Sequence, residues 1–165
     1  MGKKVATGMP DDEPRRLVFN KKDIQLVTQT LVTFLKNAKA RCVLLVDKDG
    51  HLITKEGDSS TLDMDTLVAL VAGSFAATKQ MARLLGEKKS SIMFHQGEKD
   101  NIQLSLVGER TLLAVIFDEK TTLGMVRLYA SQVTIKLTKL FNNIVNRGRK
   151  GPDSFDGAGP TPSPA

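Results

Sequence analysis

From the first ordered-looking stretch onward, apolar positions fall into alternating periods of about three and a half and of two. Ile24, Val27, Leu31, Phe34 and Leu35 recur on one side of a helix. Asn20, with Asp23 three residues later, predicts its N-cap, and the helix should end near Asn37. Arg41 to Val46 is aliphatic, Asp47-Lys48-Asp49-Gly50 has turn chemistry, and His51 to Lys55 alternates, which predicts a β-hairpin with Gly50 at positive φ. Asp63 is placed to cap a long second helix that Gly86 stops. Ser91 to Gln96, Ile102 to Val107 and Thr111 to Phe117 read as three strands of an antiparallel meander, with a tight turn at Gly108-Glu109. Val126, Ala130, Val133, Leu137, Phe141 and Ile144 mark a third helix, with Gly148 just past its end. The predicted order α-β-β-α-β-β-β-α is that of an α/β domain, a five-stranded antiparallel sheet layered with three helices.

The flanks lack this periodicity. Residues 1–16 mix Gly, Pro and charges and are expected to form a flexible arm, and residues 148–165 to form a disordered Gly/Pro-rich tail. A single domain over residues 17–147 remains, which suits a chain of 165 residues.

The second helix is unusual on its polar side. Leu67, Leu70, Val71, Met81 and Leu85 share one sector, expected to pack on the sheet. The opposite sector carries Ala69, Ala72, Gly73, Ala76, Gln80 and Arg83, and its first two turns are nearly bare of charge. Small side chains there allow a second backbone to approach closely. Alanine alone has another explanation, since it is the best helix former and a helix of the same subunit could cover it. Gly73 favours a partner, because a mid-helix glycine costs roughly 1 kcal/mol relative to alanine and usually marks close packing. The strand from Ser91 to His95 follows a helix and precedes a loop, as an edge strand would, and exposed edges invite pairing with another copy. Ala69, Ala72 and Ala76 with Ile92 and Phe94 are therefore the expected homodimer interface.

Composition narrows the remaining classes. Hydrophobic residues make up 41% and charged residues 25%, ordinary for a globular domain. The net charge of +6 raises nucleic acid as a ligand, but the cations are dispersed, there is no Trp, and no nucleic-acid motif is present. The single cysteine, Cys42, excludes an intrachain disulfide and lies in an apolar strand where an inert buried thiol is the common case. Absence of a leader pattern or a long apolar run points to cytoplasm and against a membrane partner.

No chemical site assembles from spacing. His51 and His95 lack a ligand constellation, with His95 expected to pack at a strand end, and Asp47 and Asp49 lack the rest of a calcium loop, so neither a metal nor a cofactor is expected. There is no phosphate-binding G-x-x-x-x-G-K-[ST] loop.

Val43-Leu44-Leu45-Val46-Asp47-Lys48-Asp49-Gly50, Leu70-Val71-Ala72-Gly73-Ser74-Phe75-Ala76-Ala77, Leu84-Leu85-Gly86-Glu87, Phe94-His95-Gln96-Gly97, and Val115-Ile116-Phe117-Asp118 with Leu123-Gly124-Met125-Val126-Arg127-Leu128 occur in an order and spacing that resemble the bacterial MglB branch of the Roadblock / dynein light chain 7 family. The resemblance runs from about Asp23 to Arg147. It implies a homodimer without an active site of its own, which binds the Ras-like GTPase MglA and accelerates GTP hydrolysis by ordering the GTPase's switch regions, in bacterial polarity or motility and with enrichment at a cell pole. It implies that Ala72, Gly73, Ala76, Lys79, Gln80 and Arg83 lie on the GTPase-binding surface. Lys79 and Gln80 are bulkier than the family pattern, a departure that would weaken or redirect partner choice. Arg41, Arg83 and Arg110 are expected to be surface or interface charges rather than arginines supplied in trans to the phosphates. The Pro-rich end also departs from the acidic C-terminal segment of some members, which argues against nucleotide-exchange activity. Two rivals stand beside this reading: a scaffold of the same fold that binds without activating, and a ligand-sensing domain with a polar pocket between sheet and helix.

Overall fold

The computed structural model describes residues 17–87 and 92–150. Its elements are α1 (Lys21–Ala38), β1 (Cys42–Asp47), β2 (His51–Gly57), α2 (Met64–Leu84), β3 (Ile92–Gln96), β4 (Asn101–Val107), β5 (Thr111–Phe117) and α3 (Leu123–Lys150), in the expected order. The proposed arm of residues 1–16 and most of the proposed tail lie outside the described residues.

Local chemistry accounts for the element ends. The Asn20 side chain accepts from the Asp23 amide at 2.8 Å, and the Asp23 carboxylate accepts from the Asn20 amide at 2.9 Å. These reciprocal bonds satisfy donors that the first turn of α1 leaves open. Asp63 caps α2 through the Thr66 amide. Gly50 turns the β1–β2 hairpin at φ 97°, and Gly86 ends α2 at φ 80°. Gly148, expected to stop α3, is helical instead, and α3 runs on to Lys150. A glycine permits termination without enforcing it, and its helical cost of about 1 kcal/mol is small beside the packing of so long a helix.

The sheet has the order β2-β1-β5-β4-β3 with every pair antiparallel, so β2 and β3 are its edges. The central strands β1 and β5 are buried on both faces, because helices cover both. Val43, Leu45, Leu113, Val115 and Phe117 point to the layer of α1 and α3, where all six expected α3 residues, Val126 to Ile144, are buried. The alternate residues Leu44, Val46, Leu112 and Ala114 point to α2. The result is three layers: two helices, a sheet, and α2 alone on the far side.

The α1 stripe needs one correction. Val27, Leu31 and Phe34 are buried, but Ile24 is 53% exposed. It sits in the first turn, beside a cleft of about 120 Å³ shared with Phe19, Val27 and Ile53 rather than over closed packing. Near it, Asp23 is the buried residue, and the Arg147 guanidinium from α3 pairs with its carboxylate.

A candidate partner-binding surface on helix α2

The side of α2 that meets the sheet carries Val68, Val71, Ala72 and Phe75, with half-buried Met64 and Leu67 beside them. These positions recur at three- and four-residue intervals, one stripe of a helix. Of the residues expected on this side, Leu67 and Val71 face it, whereas Leu70 is 61%, Met81 55% and Leu85 79% exposed, and Leu84 reaches 88%. The helix is apolar around most of its circumference, so side-chain size was a misleading guide to its orientation. The shallow surface of Leu44, Leu104, Leu112 and Ala114 accommodates valines and one phenylalanine in place of the longer leucines. Beyond Phe75 contact with the sheet thins to half-buried positions such as Thr78, whose hydroxyl donates to the Met93 sulfur at 3.0 Å.

Ala69, Gly73, Ala76, Lys79, Gln80 and Arg83 are all exposed, so no part of the described subunit covers that strip. Ala72, expected among them, is 7% exposed and belongs to the buried stripe, lying four residues after Val68 and three before Phe75. A Cβ built on Gly73 would meet nothing within 4 Å. No packing among the described residues requires glycine there. Leu70, Met81 and Leu85, read from sequence as core, are exposed aliphatic residues that with Leu84 widen the uncovered side of the helix. The signal that could have found them is a helix apolar around most of its circumference, wider than one stripe facing a sheet requires.

β3 is an edge, as expected, but its side chains divide between the two faces of the sheet. Met93 packs toward α2, whereas Phe94 is half-buried on the α1/α3 side, stacked on Phe117 with ring centroids 6.1 Å apart. By alternation Ile92, 51% exposed, shares the side of Phe94. The structure thus joins Ala69, Gly73, Ala76 and Gln80 on one surface and leaves Ile92 and Phe94 off it; β3 meets α2 through Met93 at Thr78, on the other flank of the helix. His95 is exposed rather than packed.

The Roadblock/LC7 domain model matches residues 5–117, well over half of the chain. The chain belongs to the Roadblock/LC7 family. Among solved structures it is similar to Myxococcus xanthus MglB, at 39% identity and a TM-score of 0.69 over 72% of this chain and 96% of that one. The gliding protein MglB from Thermus thermophilus is 30% identical with a TM-score of 0.72, covering 79% of this chain and 99% of that one. An MglB in a tetrameric arrangement is 30% identical with a TM-score of 0.74, covering 80% and 99%. The search of curated proteins found no match. The fold reaches further than the family: Acanthamoeba castellanii profilin IA shares it at 10% identity and a TM-score of 0.51, so the fold by itself assigns no role.

Within this Roadblock domain Arg41 and Arg110 are engaged in ion pairs. Arg41 pairs with Asp100 at 2.9 Å and donates to the Thr61 hydroxyl. Arg110 reaches Asp47 at 3.2 Å and Asp49 at 3.1 Å, bracing the β1–β2 turn. Burial would raise the Asp47 pKa, but the Asp49 amide and the Arg110 guanidinium outweigh it and lower it. Cys42 is buried, and burial pushes its thiol up to about 11. Among the described residues no group of three His, Cys, Asp or Glu is placed to hold a metal, and no helix is long and apolar enough to cross a membrane. A groove of about 550 Å³ with Gln29, Thr30, Asn37, Gln132 and Lys136 in its walls opens between α1 and α3, not between sheet and helix where a ligand-sensing domain would place it.

Proposed function

We propose that this Roadblock protein is a homodimeric regulator of a small Ras-like GTPase of the MglA type, and that it stimulates GTP hydrolysis by holding the GTPase's switch regions in order. The observation that carries this reading is the uncovered outward side of α2, with small residues at Ala69, Gly73 and Ala76 and exposed aliphatics at Leu70, Met81 and Leu84. A contiguous exposed apolar surface of this kind marks an interaction site. Self-association is supported by the tetrameric arrangement of a related MglB and by the free edge of β3 beside α2.

The activating step is assigned to the GTPase's own groups. Phosphoryl transfer needs an oriented water and positive charge at the developing phosphate charge. Arg41 and Arg110 are committed to carboxylates of their own subunit, and Arg83, on α2, belongs to the docking surface. Ala72 lies beneath that surface and shapes it from below, while Gly73, Ala76, Lys79, Gln80 and Arg83 form its contact side. A cytoplasmic site of action, enriched at a cell pole, belongs to the same reading.

Single-turnover GTP hydrolysis by the cognate GTPase, with and without this protein, tests it. Acceleration that disappears in Ala76→Arg, a variant adding bulk and charge to an exposed position, is the expected result. Binding without acceleration would leave a scaffold in place of an activator, and undiminished binding by Ala76→Arg would remove α2 from the interface.

A further inference from the structure

The charges of this chain are segregated by layer. Helices α1 and α3 together carry nine lysines and arginines and one carboxylate, Asp23, an excess larger than the +6 of the whole chain. Asp23 is buried and spent on Arg147, so the outward side of this layer presents no negative charge among the described residues. Lys22, Lys36, Lys136 and Lys139 are exposed there.

Aliphatic residues stand among these lysines. Val32 is 47%, Leu128 50% and Ile135 60% exposed, each on the side of its helix away from the buried stripe, and Leu26, 45% exposed, lines the groove that opens between α1 and α3. Leu128 and Ile135 are two turns apart on one line of α3, and Lys139 continues that line. Cations alone would suit any polyanion. Aliphatic side chains interleaved with them suit a surface that is anionic outside and apolar just beneath, and lysine stems can lie along such a boundary with their ammonium groups at the headgroups. Duplex DNA or RNA would use the cations but gain nothing from the aliphatics, and the layer offers only half-buried Tyr129 for base stacking.

We infer that the α1/α3 layer is a peripheral docking face for the surface of an anionic phospholipid bilayer. Docking there leaves α2, on the opposite side of the sheet, turned toward solvent and free for a protein partner. The inference is independent of the GTPase reading, and it concerns attachment to a surface, which the lack of a spanning helix does not address.

The test is co-sedimentation of the full chain with vesicles of phosphatidylglycerol and phosphatidylcholine, against vesicles of phosphatidylcholine alone. Binding to the anionic vesicles only, falling as salt is raised, is expected. Each lysine at the surface is worth about fivefold in partitioning. Lys136→Glu with Lys139→Glu should therefore weaken binding at least ~25-fold, whereas Lys136→Arg with Lys139→Arg should preserve it. Leu128→Ser with Ile135→Ser should weaken binding at constant charge. Helical circular dichroism should be unchanged in all variants. No sedimentation of the wild-type chain with anionic vesicles would overturn the inference. So would vesicle binding untouched by the Leu128 and Ile135 changes, which would reduce the face to a general polyanion site.

Discussion

Replacing Gly73 with alanine sets the stability of one subunit against its assembly. In the subunit the change should be favourable: the backbone is helical, the added Cβ has nothing within 4 Å, and alanine exceeds glycine by about 0.8–1.0 kcal/mol in a helix interior. For a domain of this size that corresponds to a rise in melting temperature of roughly 3–5 °C. In an assembly where another backbone lies on this strip, the same methyl group overpacks the contact and costs about 1–3 kcal/mol, a loss of roughly 5- to 150-fold in affinity. The assay has two arms: thermal unfolding at a concentration low enough to dissociate the protein, and sedimentation equilibrium with GTPase titration at higher concentration. The expected outcome is a more stable subunit that associates or binds its GTPase less well. A variant that melts higher and keeps both affinities would show that no partner approaches Gly73, and the case for α2 as the contact side would fail with it.

Gly57→Ala should act oppositely. Gly57 has φ +97°, and a Cβ there would stand 2.5 Å from the Arg41 carbonyl oxygen and 2.8 Å from the Cys42 Cα, backbone atoms that cannot swing aside. A loss of about 2–4 kcal/mol in urea unfolding is expected, and an unchanged midpoint would contradict the geometry. The Asp23 pKa is lowered chiefly by its hydrogen bond to Arg147, with burial opposing and the Asn20 amide assisting. Its contribution is therefore complete above the unfolded aspartate value near 4 and is lost as pH falls through the lower folded value. Asp23→Asn should flatten the decline of stability in that acid range, and an equally steep decline would assign it to other carboxylates. The Cys42 thiol, pushed up to about 11 by burial, should resist a thiol-specific reagent at pH 8 until the protein unfolds. Rapid stoichiometric labelling of the native protein would refute this.

The elements and their order were legible because each is written in local chemistry. The Asn20–Asp23 box, the Asp63 cap, the Asp47 to Gly50 turn and the stripe from Val126 to Ile144 depend on neighbours within a few turns, and all appear where their spacing puts them. The family, too, was readable from the succession of blocks, and the domain match agrees with it. For the candidate surface, the sequence singled out α2 and, in Gly73, a residue whose small size no packing among the described residues requires.

What periodicity cannot decide is which side of an apolar helix turns inward. It groups Leu70 with Met81 and Val68 with Val71 and Phe75, but the choice between these stripes belongs to the sheet, whose α2 face is assembled from β1, β4 and β5, residues far apart along the chain. The same holds for β3: alternation separates Ile92 and Phe94 from Met93, and only the strand order shows which of them shares a face with α2. Local sequence thus determined the helices, strands, caps and turns, because short-range sterics and hydrogen bonds act within one element. The tertiary structure alone decided which surfaces meet and which stay open, because burial is settled between elements brought together from distant parts of the chain.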